Sequence, residues 1–330
     1  MARSRNAVVE WFLTTAGIAL SSLTRILPLS TCRVLGRLAG RMAYVLVPRV
    51  RKVTMENLTL AYGDTLSKKE KRRIALAAAE NVGIVGAEFS RIQDLSNETI
   101  AEWVRIEGLE HLPRNQGALI IGAHLGNWEW MASVLSCLGF RMAEIVRPLD
   151  DPRMNRYVVK VRESRGVRTV PKTRAGKELI RLLKEGWVVG VLIDQAPRDS
   201  AVPVTFFGQP CWATIAPALV AARAKVPIVR LTFVRDTSGT YTLNLSPPIE
   251  LTSFDEKKVD FAAISQQCQD LVEQAIRAHP EQWLWLHRRW KKRPRLEQEW
   301  AARMEKKGAA DTSATAEAGC PTDESTGSQV

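Results

Sequence analysis

The sequence predicts an α/β fold with a mixed, largely parallel sheet flanked by helices, preceded by an N-terminal membrane-associated helix. Strand-like and helical patterns alternate from about residue 104 onward. An apolar run of about twenty positions lies near the start of the chain. The net charge of +12 over 330 residues indicates an acidic partner. Charge alone leaves three partners open: nucleic acid, an anionic membrane surface or a phosphorylated substrate.

The N-terminal run, AVVEWFLTTAGIALSSLTRIL, covers residues 7–27 and is interrupted only by Glu10 and Arg25. Three arginines flank it: Arg3, Arg5 and Arg25. Because flanking cations are typical of membrane anchors, we expect residues 1–30 to span the membrane or to lie in its interface. A buried core helix is the alternative.

Residues 31–103 are predicted to form a helical region. Arg33, Arg37 and Arg41 recur every four residues in its first part, which predicts a helix with one basic face. Ser67 is a suitable N-cap for a second helix that extends to residue 93.

Residues 104–300 are predicted to form the α/β domain. The predicted strands are 117–125, 141–148, 167–172, 188–195 and a hairpin of 228–235 with 240–247; the predicted helices are 127–139, 154–166, 174–186, 214–227 and 261–278. The stretch 308–330 lacks aromatic residues and apolar periodicity, so we expect a disordered tail. The five cysteines are scattered without ligand spacing, which predicts a reduced compartment and no metal site.

The stretch IGAHLGNWEW, residues 121–130, places a histidine at the carboxyl end of a predicted buried strand. Open α/β sheets hold their active sites at that edge. His124 lies in the predicted turn and Glu129 in the first turn of a helix capped by Asn127, where the carboxylate can accept a hydrogen bond from one ring nitrogen. No nucleophile of the protein is adjacent, so the substrate would supply one, most simply a hydroxyl. A structural histidine–acid pair is the alternative.

Six segments, in this order, resemble the blocks of one enzyme family. They are HLGNWE (124–129), VRPLDDPRMN (146–155), RESRG (162–166), VLIDQAP (191–197), VTFFGQPCWAT (204–214) and PEQWLWLHRRWKKRP (280–294). The chain therefore resembles the lipid A late acyltransferases of Gram-negative bacteria, which belong to the glycerolipid acyltransferase type with an H-x4-D/E block. The likeness covers roughly residues 50–295. Thr205 departs from it by replacing the usual proline before FFG.

The resemblance implies that His124 deprotonates an acceptor hydroxyl and that Glu129 orients the histidine. It also implies substrate-binding roles for residues of the matching blocks: Asn127, Arg147, Arg165, Asp194, Gln195, Phe207, Gly208 and Thr214.

Four of these positions keep more than one interpretation. Arg147 suits an acceptor phosphate, because a guanidinium offers a rigid fork of donors, but it can also be a solvated surface arginine. Asp194 can be a second carboxylate near His124, a partner for Arg147 or a strand cap. The FFG turn, with Phe207 and Gly208, can be an apolar ledge for an acyl chain or a plain hydrophobic turn.

The terminal block WLWLHRRWKKRPR alternates tryptophan with basic residues, which fits a membrane interface with anionic headgroups. Its predicted interface residues are Trp285, Arg288, Arg289, Trp290 and Lys291. Nucleic-acid binding is the competing interpretation, although no nucleic-acid-binding motif is present. His287 in the same block is predicted to be structural.

The resemblance implies acyl transfer from acyl-carrier protein to a hydroxylated, phosphorylated glycolipid at the cytoplasmic face of the bacterial inner membrane. The expected acceptor is the 3-hydroxyacyl chain of a lipid A precursor, with no cofactor and no nucleic-acid partner. Two alternatives remain: a lysophospholipid or phosphatidylinositol mannoside as acceptor, and a non-catalytic lipid-binding protein.

Overall fold

The computed structural model describes residues 7–249, 251, 253–255 and 258–317. The helices are α1 (Ala7–Thr24), α2 (Leu29–Leu46), α3 (Pro48–Tyr62), α4 (Lys68–Glu88), α5 (Asn97–Trp103), α6 (Met131–Cys137), α7 (Pro152–Glu163), α8 (Ala175–Lys184), α9 (Ala216–Ala224), α10 (Phe261–Ala278) and α11 (Pro294–Glu317). The strands are β1 (Val104–Glu107), β2 (Ala118–Gly122), β3 (Met142–Val146), β4 (Arg168–Pro171), β5 (Val188–Leu192), β6 (Ala201–Phe206), β7 (Gln209–Thr214), β8 (Ile228–Arg235) and β9 (Tyr241–Leu245).

Seven strands form one sheet in the order β1-β9-β8-β2-β5-β3-β4. Among these described strands every neighbouring pair is parallel except β8 with β9, the predicted hairpin. All five residues of β2 are buried, as expected for a central parallel strand covered on both faces. The predicted fold class, an α/β protein with a largely parallel sheet flanked by helices, is thus confirmed. A separate antiparallel hairpin pairs β6 with β7.

The helices before β1 pack through small residues and ion pairs. Gly36 of α2 lies so close to Gly83 of α4 that a Cβ at Gly83 would be 2.1 Å from the Gly36 carbonyl oxygen. Two arginines of the predicted basic face bind acids of α4: Arg33 contacts Glu88 and Arg41 contacts Glu80. Part of the predicted basic face therefore forms ion pairs within the protein. The Ser67 cap of α4 is confirmed by a reciprocal bond with Glu70.

Helix α1 contacts the start of α7 through polar side chains. Thr14 donates to Asp151 over 3.0 Å, and Tyr157 donates to Ser21 over 2.8 Å. In the part of the chain that the structure describes, no helix has both the length and the apolar character needed to cross a bilayer. The flanking residues Arg3 and Arg5 lie outside the described residues.

The chain divides into two compact units, residues 1–291 and 292–330. In the second unit, α11 continues to Glu317, so helix extends into the first ten residues of the region predicted to be a disordered tail. Alanine, the best helix former, recurs in this stretch, which explains the difference. Residues 318–330 lie outside the described residues.

Candidate active site

The HLGNWE segment is a sharp turn between β2 and α6. Gly126 has φ +63, and a Cβ there would be 1.8 Å from the carbonyl oxygen of Phe233, so only glycine fits. The helix begins at Met131, four residues later than predicted. Asn127 is therefore not its cap. Instead Asn127 is buried, and its amide donates to Glu88 over 2.7 Å.

His124 is held by Asp194, which follows β5. Its ring Nδ1 lies 2.9 Å from one carboxylate oxygen of Asp194, and its backbone N–H donates to the other oxygen over 3.0 Å. Trp283 donates to that second oxygen over 2.8 Å. Because β2 and β5 are parallel neighbours, their carboxyl ends bring the two side chains together. The second carboxylate that the sequence suggested near His124 is the one that orients it.

The electrostatics of the pair favour a charged histidine. Burial lowers the pKa of His124, but the Asp194 carboxylate and its hydrogen bond outweigh burial, so the pKa lies above its ordinary value. Burial raises the pKa of Asp194, yet the charge of His124 and the hydrogen bonds from His124 and Trp283 lower it to about 2. Asp194 thus stays ionised. In the neutral form of His124 the ring proton lies on Nδ1, toward Asp194, which leaves Nε2 free to act as a base.

Glu129 does not make the predicted hydrogen bond to His124. Arg162 of α7 donates hydrogen bonds from Nε and Nη2 to the two carboxylate oxygens of Glu129, each over 2.9 Å. The indole N–H of Trp128 donates to the same carboxylate over 3.1 Å. Glu129 also precedes α6 rather than standing in its first turn, so the guanidinium, not a helix end, compensates its charge. Glu129 still raises the pKa of His124 through its nearby negative charge.

A cavity of about 500 Å³ opens beside His124, between the sheet and helices α6 and α7. Its walls are mostly apolar, with Ile120, Met142 and Leu192 on the sheet side and Met131, Leu135 and Val159 on the helix side. The charged groups that face it include Glu129, Arg162 and Glu144. A cavity of this size and polarity suits a hydrocarbon chain with a reactive group at His124.

Two of the predicted binding residues line this cavity. Gln195 places its amide nitrogen 3.5 Å from Nε2 of His124. The side chain of Arg147 is 75% exposed, and its contact with Asp150 is 3.6 Å long. A weakly held guanidinium at the rim of a cavity can turn toward an incoming anion.

Other predicted binding residues serve the fold instead. Arg165 donates to backbone carbonyls at Ile92 and Gln93. Phe207 is buried in an aromatic cluster and, with Gly208, forms the turn of the β6–β7 hairpin, both at positive φ. The hydroxyl of Thr214 accepts from the backbone of Ala216 at the start of α9. The hydrophobic-turn interpretation of the FFG segment is the one that fits.

The terminal block is largely internal, contrary to the predicted membrane interface. Trp285 is 1% exposed and Arg289 is fully buried, where its guanidinium donates to the Trp212 carbonyl and to Gln269. Trp290 donates to the carbonyl of Phe206. Alternation of aromatic and basic residues is therefore a packing pattern here, and only Arg288 and Lys291 of the five are exposed. His287 accepts from the backbone of Ala196, as expected for a structural histidine.

The sequence did not indicate a role in the site for Arg162 or Trp283. Arg162 follows Val158 and Val159 by one helical turn and shares their cavity-lining face, which the helical period of α7 could have revealed. The contact of Trp283 with Asp194 joins residues 89 positions apart, and no local pattern signals it.

The family model for bacterial lipid A biosynthesis acyltransferases matches residues 2–292. The chain is 27% identical to a lipid A biosynthesis lauroyltransferase of Escherichia coli, over 86% of this chain and 93% of the relative. The identity is also 27%, with the same coverage, to a lipid A biosynthesis palmitoleoyltransferase of that organism. A phosphatidylinositol mannoside acyltransferase of Mycobacterium tuberculosis is 25% identical over 65% of this chain and 69% of its own. The chain belongs to the family of bacterial lipid A biosynthesis acyltransferases.

Proposed function

We propose that this acyltransferase moves an acyl group from acyl-carrier protein to a hydroxyl of a phosphorylated glycolipid, with His124 as the base and Asp194 as the residue that orients it. The observation that carries the proposal is the hydrogen-bonded pair of part-buried His124 and buried Asp194 at the head of an apolar cavity. The acceptor we favour is the 3-hydroxyacyl chain of a lipid A precursor, in keeping with the family.

The proposed reaction needs no nucleophile from the protein. Nε2 of His124 takes the proton of the acceptor hydroxyl as its oxygen attacks the thioester carbonyl, and Asp194 stabilises the resulting imidazolium. The tetrahedral intermediate collapses as the new C–O bond is retained and the C–S bond breaks. The leaving thiolate then receives the proton from His124, so the enzyme returns to its starting state.

Charges around the cavity support the choice of substrates. Arg147 at the rim suits an acceptor phosphate, while the net charge of +12 favours encounter with an acidic carrier protein. The similarity to a phosphatidylinositol mannoside acyltransferase keeps that acceptor as the second candidate.

The proposal is tested by presenting labelled dodecanoyl groups on acyl-carrier protein or on coenzyme A to three acceptors: a lipid A precursor, phosphatidylinositol mannoside and a lysophospholipid. We expect the carrier-protein donor and the lipid A precursor to give the fastest transfer, and His124→Ala to abolish it. Faster transfer to another acceptor would replace our acceptor, and transfer from coenzyme A alone would replace our donor. Undiminished activity of His124→Ala would refute the mechanism.

We also propose that the protein lies on the surface of the inner membrane through α2 and the end of α1. Large apolar side chains on these helices are exposed: Leu20, Leu23, Val34, Leu35, Leu38, Met42, Val45 and Leu46. The six of these residues that belong to α2 lie away from Cys32, Gly36 and Gly40, which face the protein. An apolar stripe bordered by Arg37 fits an interfacial helix on anionic lipid.

Replacing Leu38 and Met42 together by aspartate should weaken binding to vesicles of phosphatidylethanolamine and phosphatidylglycerol by about tenfold or more, because each side chain loses apolar burial and gains a repelled charge. Sedimentation of the vesicles measures the bound fraction. The matched control is Phe254→Asp, which changes an exposed apolar residue outside α1 and α2. Equal binding by the double variant and wild type would contradict this orientation.

A further inference from the structure

Glu144 lies in the wall of the apolar cavity, at a position where an apolar side chain would be expected. The register of the sheet places it level with Gly190 of β5, and Gly190 with Ile120 of β2. Alternation along β3 turns Met142, Glu144 and Val146 to the same face, and all three line the cavity. A Cβ at Gly190 would meet the carbonyl oxygen of Ala143 at an ordinary contact distance of 3.8 Å, and Gly190 itself lines the cavity beside Glu144.

The carboxyl of Glu144 has an unused hydrogen-bonding atom. Its Oε1 lies 3.6 Å from Nε of Arg162, which is too long for a hydrogen bond, and it has no other partner among the described residues. Arg162 already makes two bonds of 2.9 Å to Glu129. Burial raises the pKa of Glu144 to about 7, although the charge of Arg162 opposes this.

The positive charge of Arg162 does not account for a carboxyl at position 144. Glu129 already gives Arg162 one negative charge and two hydrogen bonds of 2.9 Å. A plain alkyl chain passing this point would cover the unused oxygen without replacing the hydrogen bonds that water gives it, which is unfavourable. A hydroxyl on the chain can donate to Oε1 of Glu144 and so supply the hydrogen bond that Arg162 does not make.

The position of this polar group indicates which part of a chain it meets. Arg162 links Glu144 to Glu129, and Glu129 is close enough to His124 to raise its pKa. The three charged groups therefore lie toward the reacting end of the cavity. Carbons close to the thioester would pass them, and the remainder of the chain would lie against apolar walls.

We propose that Glu144 makes the cavity selective for an acyl donor that carries a hydroxyl close to its thioester, on the second or third carbon. This inference rests on the proposed acyl transfer and adds the class of acyl chain. Glu144 is then a specificity-determining residue, because it acts on binding of the chain and not on the proton transfer at His124.

The test is a competition among dodecanoyl, 2-hydroxydodecanoyl and 3-hydroxydodecanoyl groups on acyl-carrier protein, with product ratios read by mass spectrometry. We expect wild type to favour one hydroxylated donor over dodecanoyl by tenfold or more in kcat/KM. Glu144→Leu should lower that ratio at least tenfold, and Glu144→Gln should keep part of the preference. The matched control is Glu163→Leu, since Glu163 binds Thr169 outside the cavity.

Two results would overturn the inference: a wild-type ratio of hydroxylated to plain donor within twofold of one, or a preference that is unchanged in Glu144→Leu. In either case, transfer of dodecanoyl by wild type would still support the proposed function. If no donor is transferred, the proposed function fails. The inference is then judged by the thermal shift that 3-hydroxydodecanoate, 2-hydroxydodecanoate and dodecanoate each give with wild type and with Glu144→Gln. Equal shifts for all three acids with wild type would refute it.

Discussion

Asp194→Asn lowers kcat for acyl transfer by about 10³–10⁴ without unfolding the protein, whereas Glu129→Gln lowers it only about 10–100-fold. The Asp194 carboxylate accepts from the backbone and Nδ1 of His124 and from Trp283. Asparagine has one acceptor oxygen for these donors, and its NH₂ group favours the tautomer in which Nε2 carries the proton. That tautomer cannot accept a proton from the substrate.

The pH dependence gives a second measurement on the same variants. The neutral form of His124 is the active base, so kcat falls as pH drops through its pKa, which the carboxylate of Asp194 raises. We expect the kcat of wild type to fall with a midpoint above the ordinary histidine pKa of about 6.5. The residual activity of Asp194→Asn should fall with a midpoint at lower pH. A larger loss in Glu129→Gln than in Asp194→Asn would instead support Glu129 as the orienting residue.

Glu88→Ala lowers the free energy of unfolding by about 3–5 kcal/mol. Glu88 is fully buried at the end of α4, where its carboxylate binds Arg33 at 2.5 Å, Tyr241 at 2.6 Å and the amide of Asn127 at 2.7 Å. Burial and the charge of Glu88 raise the pKa of Tyr241. Removing the carboxylate takes away the acceptor for a partly buried guanidinium, for the hydroxyl proton of Tyr241 and for the amide of Asn127 in the active-site turn.

Thermal unfolding measures this effect, and a loss of roughly 10 °C in Tm is expected for a domain of this size. Glu56→Ala is the matched control, because Glu56 is a half-exposed helical glutamate with contacts of 3.9 and 4.0 Å to Arg288 and Lys52. That variant should change the free energy of unfolding by less than about 0.5 kcal/mol. Equal Tm values for the two variants would show that the Glu88 cluster adds little stability.

The sequence by itself determined most elements of the domain and the position of His124 after a buried strand. Helix α10 begins and ends at the predicted residues, and the β8–β9 hairpin turns where its sequence predicts. Apolar periodicity and turn residues are local signals, so they act within one element and can be recognised there. The same holds for His124, because a histidine after a buried strand and before a glycine turn is a local arrangement.

Only the tertiary structure decided which carboxylate orients His124. Asp194 is 70 positions away but follows the neighbouring parallel strand, whereas Glu129 is five positions away and bound to Arg162 of α7. The same reason explains the terminal block, where Arg289 looked like a surface cation but finds Gln269 and a carbonyl inside the protein. Hydrogen bonds and ion pairs of buried side chains depend on which elements become neighbours, and proximity along the chain does not fix that choice.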